Sequence, residues 1–257
     1  MTFCIIGTGN IAWFLCTRLV TARHHCIGVY DRDINAARRF AEALLCNKSG
    51  TIKDIEDGEA DGCFLAVSDS AISEVAAQLS FKQTVLVHTA GAVGIDNIMT
   101  AAKDCAILWP VYSILKNNLP VHRKIPCAWE ASSDKAKRFV LSMAHAISDE
   151  LFEAKYEQRR WLHLAAVMSN NFITHLMTIC EHVCADNNMP FATLLPIIEQ
   201  TFDRIRQYSP QTLQTGPAIR NDTTTINEQI ALLEKHPHWQ KIYQAMTDSI
   251  RAEIADK

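Results

Sequence analysis

Residues 7 to 12 read Gly-Thr-Gly-Asn-Ile-Ala, two glycines one residue apart and a small side chain three positions on. The apolar run Phe3-Cys4-Ile5-Ile6 precedes them, and helical spacing follows at Ile11, Phe14, Leu15 and Leu19. A strand, a glycine turn and a helix start, in that order, suit the cradling of a diphosphate. Gly7 permits the tight turn, Gly9 removes the side chain that would hold a phosphate off the backbone, and Ala12 lets the helix lie close to the sheet. The peptide N–H groups around Thr8, Asn10 and Ile11 then face the anion. The bland alternative is a tight strand-to-helix turn that binds nothing.

Asp31 follows Ala12 by 19 residues, just past a second β-like run, Cys26 to Tyr30. An acid there accepts hydrogen bonds from both ribose hydroxyls of NAD, and it would repel the extra phosphate of NADP by roughly 1 to 4 kcal/mol at about 4 Å. Arg32 argues the other way, because a guanidinium can stack on adenine or meet that phosphate. NAD and NADP both stay open.

Further candidates stand at the ends of later apolar runs. Ala66-Val67-Ser68 follows one of them and is expected to face the ribose or pyrophosphate; Asp69 or Ser70 equally suits a helix N-cap. His88-Thr89-Ala90-Gly91 ends the next, and His88 is the first choice for proton transfer, set against a partly buried histidine that merely bonds a loop. Trp109-Pro110-Val111-Tyr112 closes a third run, with Tyr112 as a second proton donor or a packing residue. His163 and Asn170 share one face of a later helix, and His163 is a further acid–base candidate. No metal is expected: His175 and His182 stand about 10.5 Å apart along a helix, and Cys180 and Cys184 lack a further ligand pair.

These residues need a sheet to hold them. Apolar runs at Gly62 to Val67, Thr84 to Val87, Cys105 to Leu108 and Ile125 to Trp129 alternate with helical patterns, and weaker strand candidates lie near Thr51-Ile52 and Glu150 to Phe152. Strands apolar on both faces predict an α/β, doubly wound, mostly parallel sheet of Rossmann type over residues 1–152. From 153 to 257 only helical periodicity appears, starting with one long helix from Glu157 to Ala185; others follow Pro190, Asp222 and Pro237, and Asp222 or Thr225 caps the third.

Composition narrows the class. The formal charge is -3, with 25 Lys+Arg against 28 Asp+Glu, so no positive field exists for nucleic acid. Nine scattered cysteines without a CxxC pair read as free thiols in a reducing compartment. The apolar start at Met1 lacks a basic leader and no apolar stretch reaches membrane length, so the expected location is cytoplasmic.

The motifs GTGNIA, LAVSDSAI, HTAGAVG, LHLAAVMSNNF and QTGPAIRND, in this order, resemble a bacterial family with a Rossmann-like N-terminal domain and a helical C-terminal domain of unknown function. Its members carry the label of deazaflavin-dependent NADP oxidoreductases. The family lies in the superfamily of 6-phosphogluconate dehydrogenase, 3-hydroxyisobutyrate dehydrogenase and pyrroline-5-carboxylate reductase. The resemblance implies a 6-phosphogluconate dehydrogenase-like helical domain that completes a substrate cleft and forms a homodimer. It implies that Gly7 to Ala12 and Ala66 to Ser68 hold the cofactor, that His88 to Gly91 and Pro110 lie near the nicotinamide, and that His163, Asn170, Arg220 and Asp222 face the cleft. One departure stands out. Hydroxyacid dehydrogenases of the superfamily place a lysine four residues before an asparagine on the first long helix, whereas here Ala166 precedes Asn170 and Val167 precedes Asn171.

The expected activity is therefore hydride transfer between NADP or NAD and a small carbonyl or imine compound. A dinucleotide-binding sensor or scaffold without turnover is the alternative that the missing lysine favours, and a methyltransferase a distant third.

Overall fold

The computed structural model describes residues 1–255. Its first elements are β1 (Thr2–Ile6), α1 (Asn10–Thr21), β2 (His25–Tyr30), α2 (Ile34–Ala43), β3 (Ser49–Gly50), β4 (Gly62–Leu65), α3 (Ile72–Ala76), β5 (Val85–His88) and β6 (Cys105–Pro110). Then come β7 (Cys127–Ala131), α4 (Asp134–Ile147), β8 (Leu151–Glu153) and α5 (Tyr156–Ala166). The eight strands form one sheet in the order β3-β2-β1-β4-β5-β6-β7-β8. The first six are parallel, and β7 runs antiparallel to β6. This is the strand order of a Rossmann sheet carrying two extra strands at one edge.

The apolar strands follow from burial on both faces. Phe3 and Ile5 of β1 point into one layer with Phe64, Val87 and Leu108, under Phe14 and Leu15 of α1 and Phe139 and Met143 of α4. Cys4 and Ile6 point into the other, with Cys63, Leu65 and Leu86, under Ile72 of α3. A strand whose alternate residues both meet helices has no polar position left. Each fully buried Phe, Leu or Ile contributes about 1.5–3 kcal/mol. Chain direction reverses at β7 because no helix crosses back between β6 and β7; a parallel partner would need one.

The weak strand expected near Thr51-Ile52 is the two-residue β3, Ser49–Gly50, and a 3-10 turn, Ile52–Asp54, follows it. The Thr51 N–H and hydroxyl both donate to the Asp54 carboxylate, at 2.7 and 2.9 Å, which withdraws the segment from the ladder. One expectation needs correction: the long helix is not uniform. After α5 comes a π-helical stretch, Val167–Phe172, and then α6 (Ile173–Asp186). The polar run Ser169-Asn170-Asn171 occupies that wide turn, where the Ser169 hydroxyl bonds the Ala166 carbonyl at 3.4 Å.

The chain divides into two compact units, Met1–Asn171 and the remainder from Phe172. The second is helical: α6 is followed by α7 (Leu195–Ile205), α8 (Pro210–Leu213), α9 (Thr223–Leu232) and α10 (Pro237–Ala255). Asp222 caps α9, accepting from the Thr225 N–H at 3.1 Å and its hydroxyl at 2.8 Å. Among the described residues no helix is long and apolar enough to cross a membrane.

Within the first unit, α5 is fixed by Arg159, a side chain with 0% exposure. Its Nη1 donates to the Glu130 carboxylate of β7 and, at 2.7 Å, to the Ala154 carbonyl; its Nη2 donates to the Val93 carbonyl at 3.0 Å. One buried cation thus ties a helix, strand β7 and the loop after β5. Arg159→Met should cost about 3–5 kcal/mol, since it strands a carboxylate and two carbonyls. Urea unfolding measures this, and a loss under about 1 kcal/mol would contradict the assigned role.

Candidate functional site

The turn between β1 and α1 is set by Gly7. Its φ is +106°, and a Cβ there would lie 2.3 Å from the Ala66 carbonyl oxygen. Its N–H donates to the Tyr30 carbonyl at 2.8 Å. Gly7 therefore wedges between the carboxyl ends of β2 and β4, at the point where the strand order reverses. Gly9 is the N-cap of α1, with extended backbone, no capping side chain and no acid in the first helical turn. A Cβ on Gly9 would meet nothing within 4 Å. The positive end of the α1 dipole is left facing open space.

Two clefts flank this turn and share a floor made of Gly9, Ala66, Val67 and Ser68. The larger, about 630 Å³, is also lined by Gly7, Thr8, Asp31, Arg32, Ala36, Thr51 and Gln78, among others. Asp31 is already engaged: Oδ2 accepts from the Thr8 hydroxyl at 2.9 Å and Oδ1 from the Asp33 N–H at 3.0 Å. Asp33 in turn caps α2 through the Asn35 and Ala36 N–H groups. The acid thus holds the glycine turn and the entry to α2 in one arrangement. Arg32 is exposed and, among the described residues, forms no ion pair.

The smaller cleft, about 380 Å³, adds Asn10, Ile11, Asp69, Thr89, Trp109, Pro110, Tyr112 and Ile114. Its far wall belongs to the loop between β6 and β7. This strap is fastened to α1 at two points: Asn10 Oδ1 accepts from the Lys116 N–H at 3.1 Å, and Arg18 Nη2 donates to the carbonyls of Pro120 at 2.5 Å and His122 at 2.8 Å.

Most of the residues singled out by type and spacing line these clefts, namely Gly7, Thr8, Gly9, Asn10, Ile11, Asp31, Arg32, Ala66, Val67, Ser68, Thr89 and Tyr112. Four line neither. Gly91 lies flat against the Trp109 indole, where a Cβ would stand 2.4 Å from the ring. His163 packs on the same indole, 5.8 Å between centroids, and is half-buried. Asn170 lies in the π-helical turn. His88 is fully buried, its Nδ1 accepting from the Ala90 N–H at 3.3 Å; the strand end it occupies is covered by the loop that Arg159 holds. Thr51, Gln78 and Ile114 carried no signal in the sequence, because each reaches a cleft through a loop or short helix rather than a motif.

Residues 2–91 match the family of coenzyme F420-dependent NADP oxidoreductases, and residues 125–250 match DUF2520, a domain of unknown function. A Bacteroides fragilis protein described as a candidate NADP oxidoreductase is 28% identical, with a TM-score of 0.89 and 98% of each chain covered. The 1-pyrroline-5-carboxylate reductase of Streptococcus pyogenes, 14% identical, has a TM-score of 0.64 over 98% of each chain. An imine reductase from Myxococcus stipitatus, solved with NADP+, is 13% identical, with a TM-score of 0.66 over 100% of this chain and 95% of its own. The last two share the fold. No curated protein matches the chain in sequence.

Burial and, second to it, the Arg159 guanidinium push the His88 imidazole down from 6.5 to about 4. In the unfolded chain the imidazole takes a proton below about pH 6.5. The folded core refuses that proton until about pH 4. The folded state is favoured in full above pH 6.5 and loses up to about 3 kcal/mol as pH falls through this window. Urea unfolding at pH 7 and pH 4.5 should show a shallower pH dependence in His88→Gln than in the wild type; equal slopes would refute the assignment.

Proposed function

We propose that this chain, joining an F420-dependent NADP oxidoreductase domain to a DUF2520 region, is an NAD(P)-dependent oxidoreductase acting on a small carbonyl or imine compound. The observation that carries the reading is the uncapped start of α1, standing between two clefts with an open Gly9 beside it. The nicotinamide, when bound, supplies or accepts a hydride. The larger cleft suits the adenosine half of the dinucleotide, the helix start its diphosphate, and the smaller cleft the reacting end. Residues 1–152 would form the dinucleotide-binding domain, and 153–257 the substrate and dimerisation part.

Arg32 is read as the contact to a 2'-phosphate, being a free cation in the cleft next to an acid whose oxygens already accept two donors; NADP is then held more tightly than NAD. Thr8, Asn10 and Ile11 would offer backbone N–H groups to the diphosphate, and Ala66, Val67, Ser68 and Thr89 would line the path of the nucleotide. Tyr112 suits proton transfer better than His88, His163 or Asn170, because it alone of the four lines a cleft. The nine free thiols support a reducing, cytoplasmic setting.

The homodimer is supported by unburied apolar surface. Leu195, Ile197, Phe202 and Ile205 of α7 are all at least 41% exposed, and α7 buries no residue. In the same helical unit an apolar groove of about 360 Å³ is lined by Ile179, Trp239, Ile242 and Met246 without any charged side chain. An exposed apolar helix face and an apolar groove within one helical unit suit burial against a second copy. Sedimentation should give a dimer that Phe202→Glu with Ile205→Glu converts to a folded monomer; an unchanged sedimentation coefficient would exclude α7 from the contact.

Titrations of NADPH and NADH test the site. Gly9→Val, at a φ of -78° with open space around it, should fold as the wild type does yet weaken both coenzymes by more than about tenfold. Gly7→Ala should lose stability as well as binding. Arg32→Ala should weaken NADPH by about tenfold and leave NADH unchanged. Flat titrations with both coenzymes would sink the reading; binding without turnover on any carbonyl or imine would favour the sensor.

A further inference from the structure

The smaller cleft carries a pair of side chains that no motif announces. Tyr112 Oη lies 3.3 Å from His122 Nε2, with the two rings edge to face at 5.7 Å. Both belong to the strap between β6 and β7, ten residues apart in sequence. Tyr112 leaves β6 two positions after Pro110, beyond the Val111 N–H that donates to the Pro126 carbonyl at 2.7 Å. His122 is brought back by Arg18 of α1, whose guanidinium takes the His122 carbonyl at 2.8 Å and that of Pro120 at 2.5 Å. The loop is thus pinned at both ends, which sets the imidazole against the phenol.

Among the side chains that line this cleft, only Asp69 and Tyr112 ionise. Of these, Tyr112 alone has an imidazole on its proton-bearing oxygen. It is also 45% exposed, so a substrate can reach it, whereas His88 is sealed in the core and His163, packed on the Trp109 indole, does not line this cleft.

We propose that Tyr112 is the proton donor of the reduction and that His122 is the partner that resupplies its proton, an inference that rests on the oxidoreductase reading of the site. Reduction of a C=O or C=N bond forms one C–H bond from the hydride of the reduced nicotinamide and one O–H or N–H bond from a proton. Tyr112 Oη gives that proton to the substrate heteroatom and becomes a phenolate. Protonated His122 returns a proton from Nε2 to Oη, and the neutral imidazole is recharged from solvent. In the oxidative direction each transfer runs in reverse. Arg18 acts as a positioning residue, holding the backbone that carries the imidazole.

The pairing is tested first without any coenzyme. In the free protein labelled with tyrosine ¹³Cζ, Tyr112→Phe identifies one of the five tyrosine signals. His122→Gln should move that signal and leave the other four in place; an unmoved signal overturns the pair. NADPH titrations follow, in which Tyr112→Phe and His122→Ala should bind within about twofold of the wild type. A wild type that fails to bind NADPH would sink the site reading itself, a separate failure. With a panel of small aldehydes, ketones and cyclic imines, Tyr112→Phe should lower kcat by about 100-fold and His122→Ala by about tenfold, with added imidazole restoring the latter. Full turnover in Tyr112→Phe, or NADPH that binds the wild type and is never oxidised against the panel, overturns the donor. Full turnover in His122→Ala, or a loss that imidazole does not restore, overturns the relay.

Discussion

The structure depends on a missing methyl group. At Gly7 the chain turns with a positive φ while its α-carbon lies against the Ala66 carbonyl, so close that any side chain would strike it. That approach brings the start of α1 directly over the reversal point of the sheet. Moved outward by the width of a methyl, the helix would lose both its packing through Phe14 and Leu15 and its aim into the clefts. Packing and chemistry are met by one backbone conformation, and neither can be adjusted without the other.

The floor shared by the two clefts follows from the same arrangement. Gly9 ends the turn and Ala66 to Ser68 end β4, so the strip between the clefts is largely backbone. A surface of small side chains and peptide groups suits a long, thin ligand lying across it, whose two halves differ in chemistry. The polar contributors are gathered on the side of Asp31 and Arg32, the aromatic ones on the side of Trp109 and Tyr112. Asp31 holds Thr8 and the entry to α2, which keeps that polar side in shape with or without a ligand.

The sheet was legible because strands buried on both faces leave a simple trace: runs without a polar residue, spaced by helical patterns. The glycine turn was legible for a similar reason, since only glycine tolerates Gly7's backbone. Tyr112 could be marked as a candidate from its place after a strand. Its partner could not, because His122 is carried there by Arg18, 104 residues away in sequence, through a contact to a carbonyl that has no residue-type signature. His88 shows the opposite failure. Its position at a strand end suggested access, but the loop over it is held down by Arg159, whose hydrogen bond to Val93 spans 66 residues. Strand β3 stops at Gly50 because a local carboxylate, Asp54, takes the Thr51 N–H. In each case a long-range or side-chain hydrogen bond overrode a local pattern that was otherwise sound.

The two fastenings of the strap, at Asn10 and Arg18, sit eight positions apart on one helix, a rise of about 12 Å. A helix of this kind is a stiff gauge. The gap between the glycine turn and the aromatic wall is thereby calibrated by α1 rather than by the sheet beneath it. Lengthening the helix or shortening the loop would alter that gauge and so change the width of the opening while leaving the floor untouched.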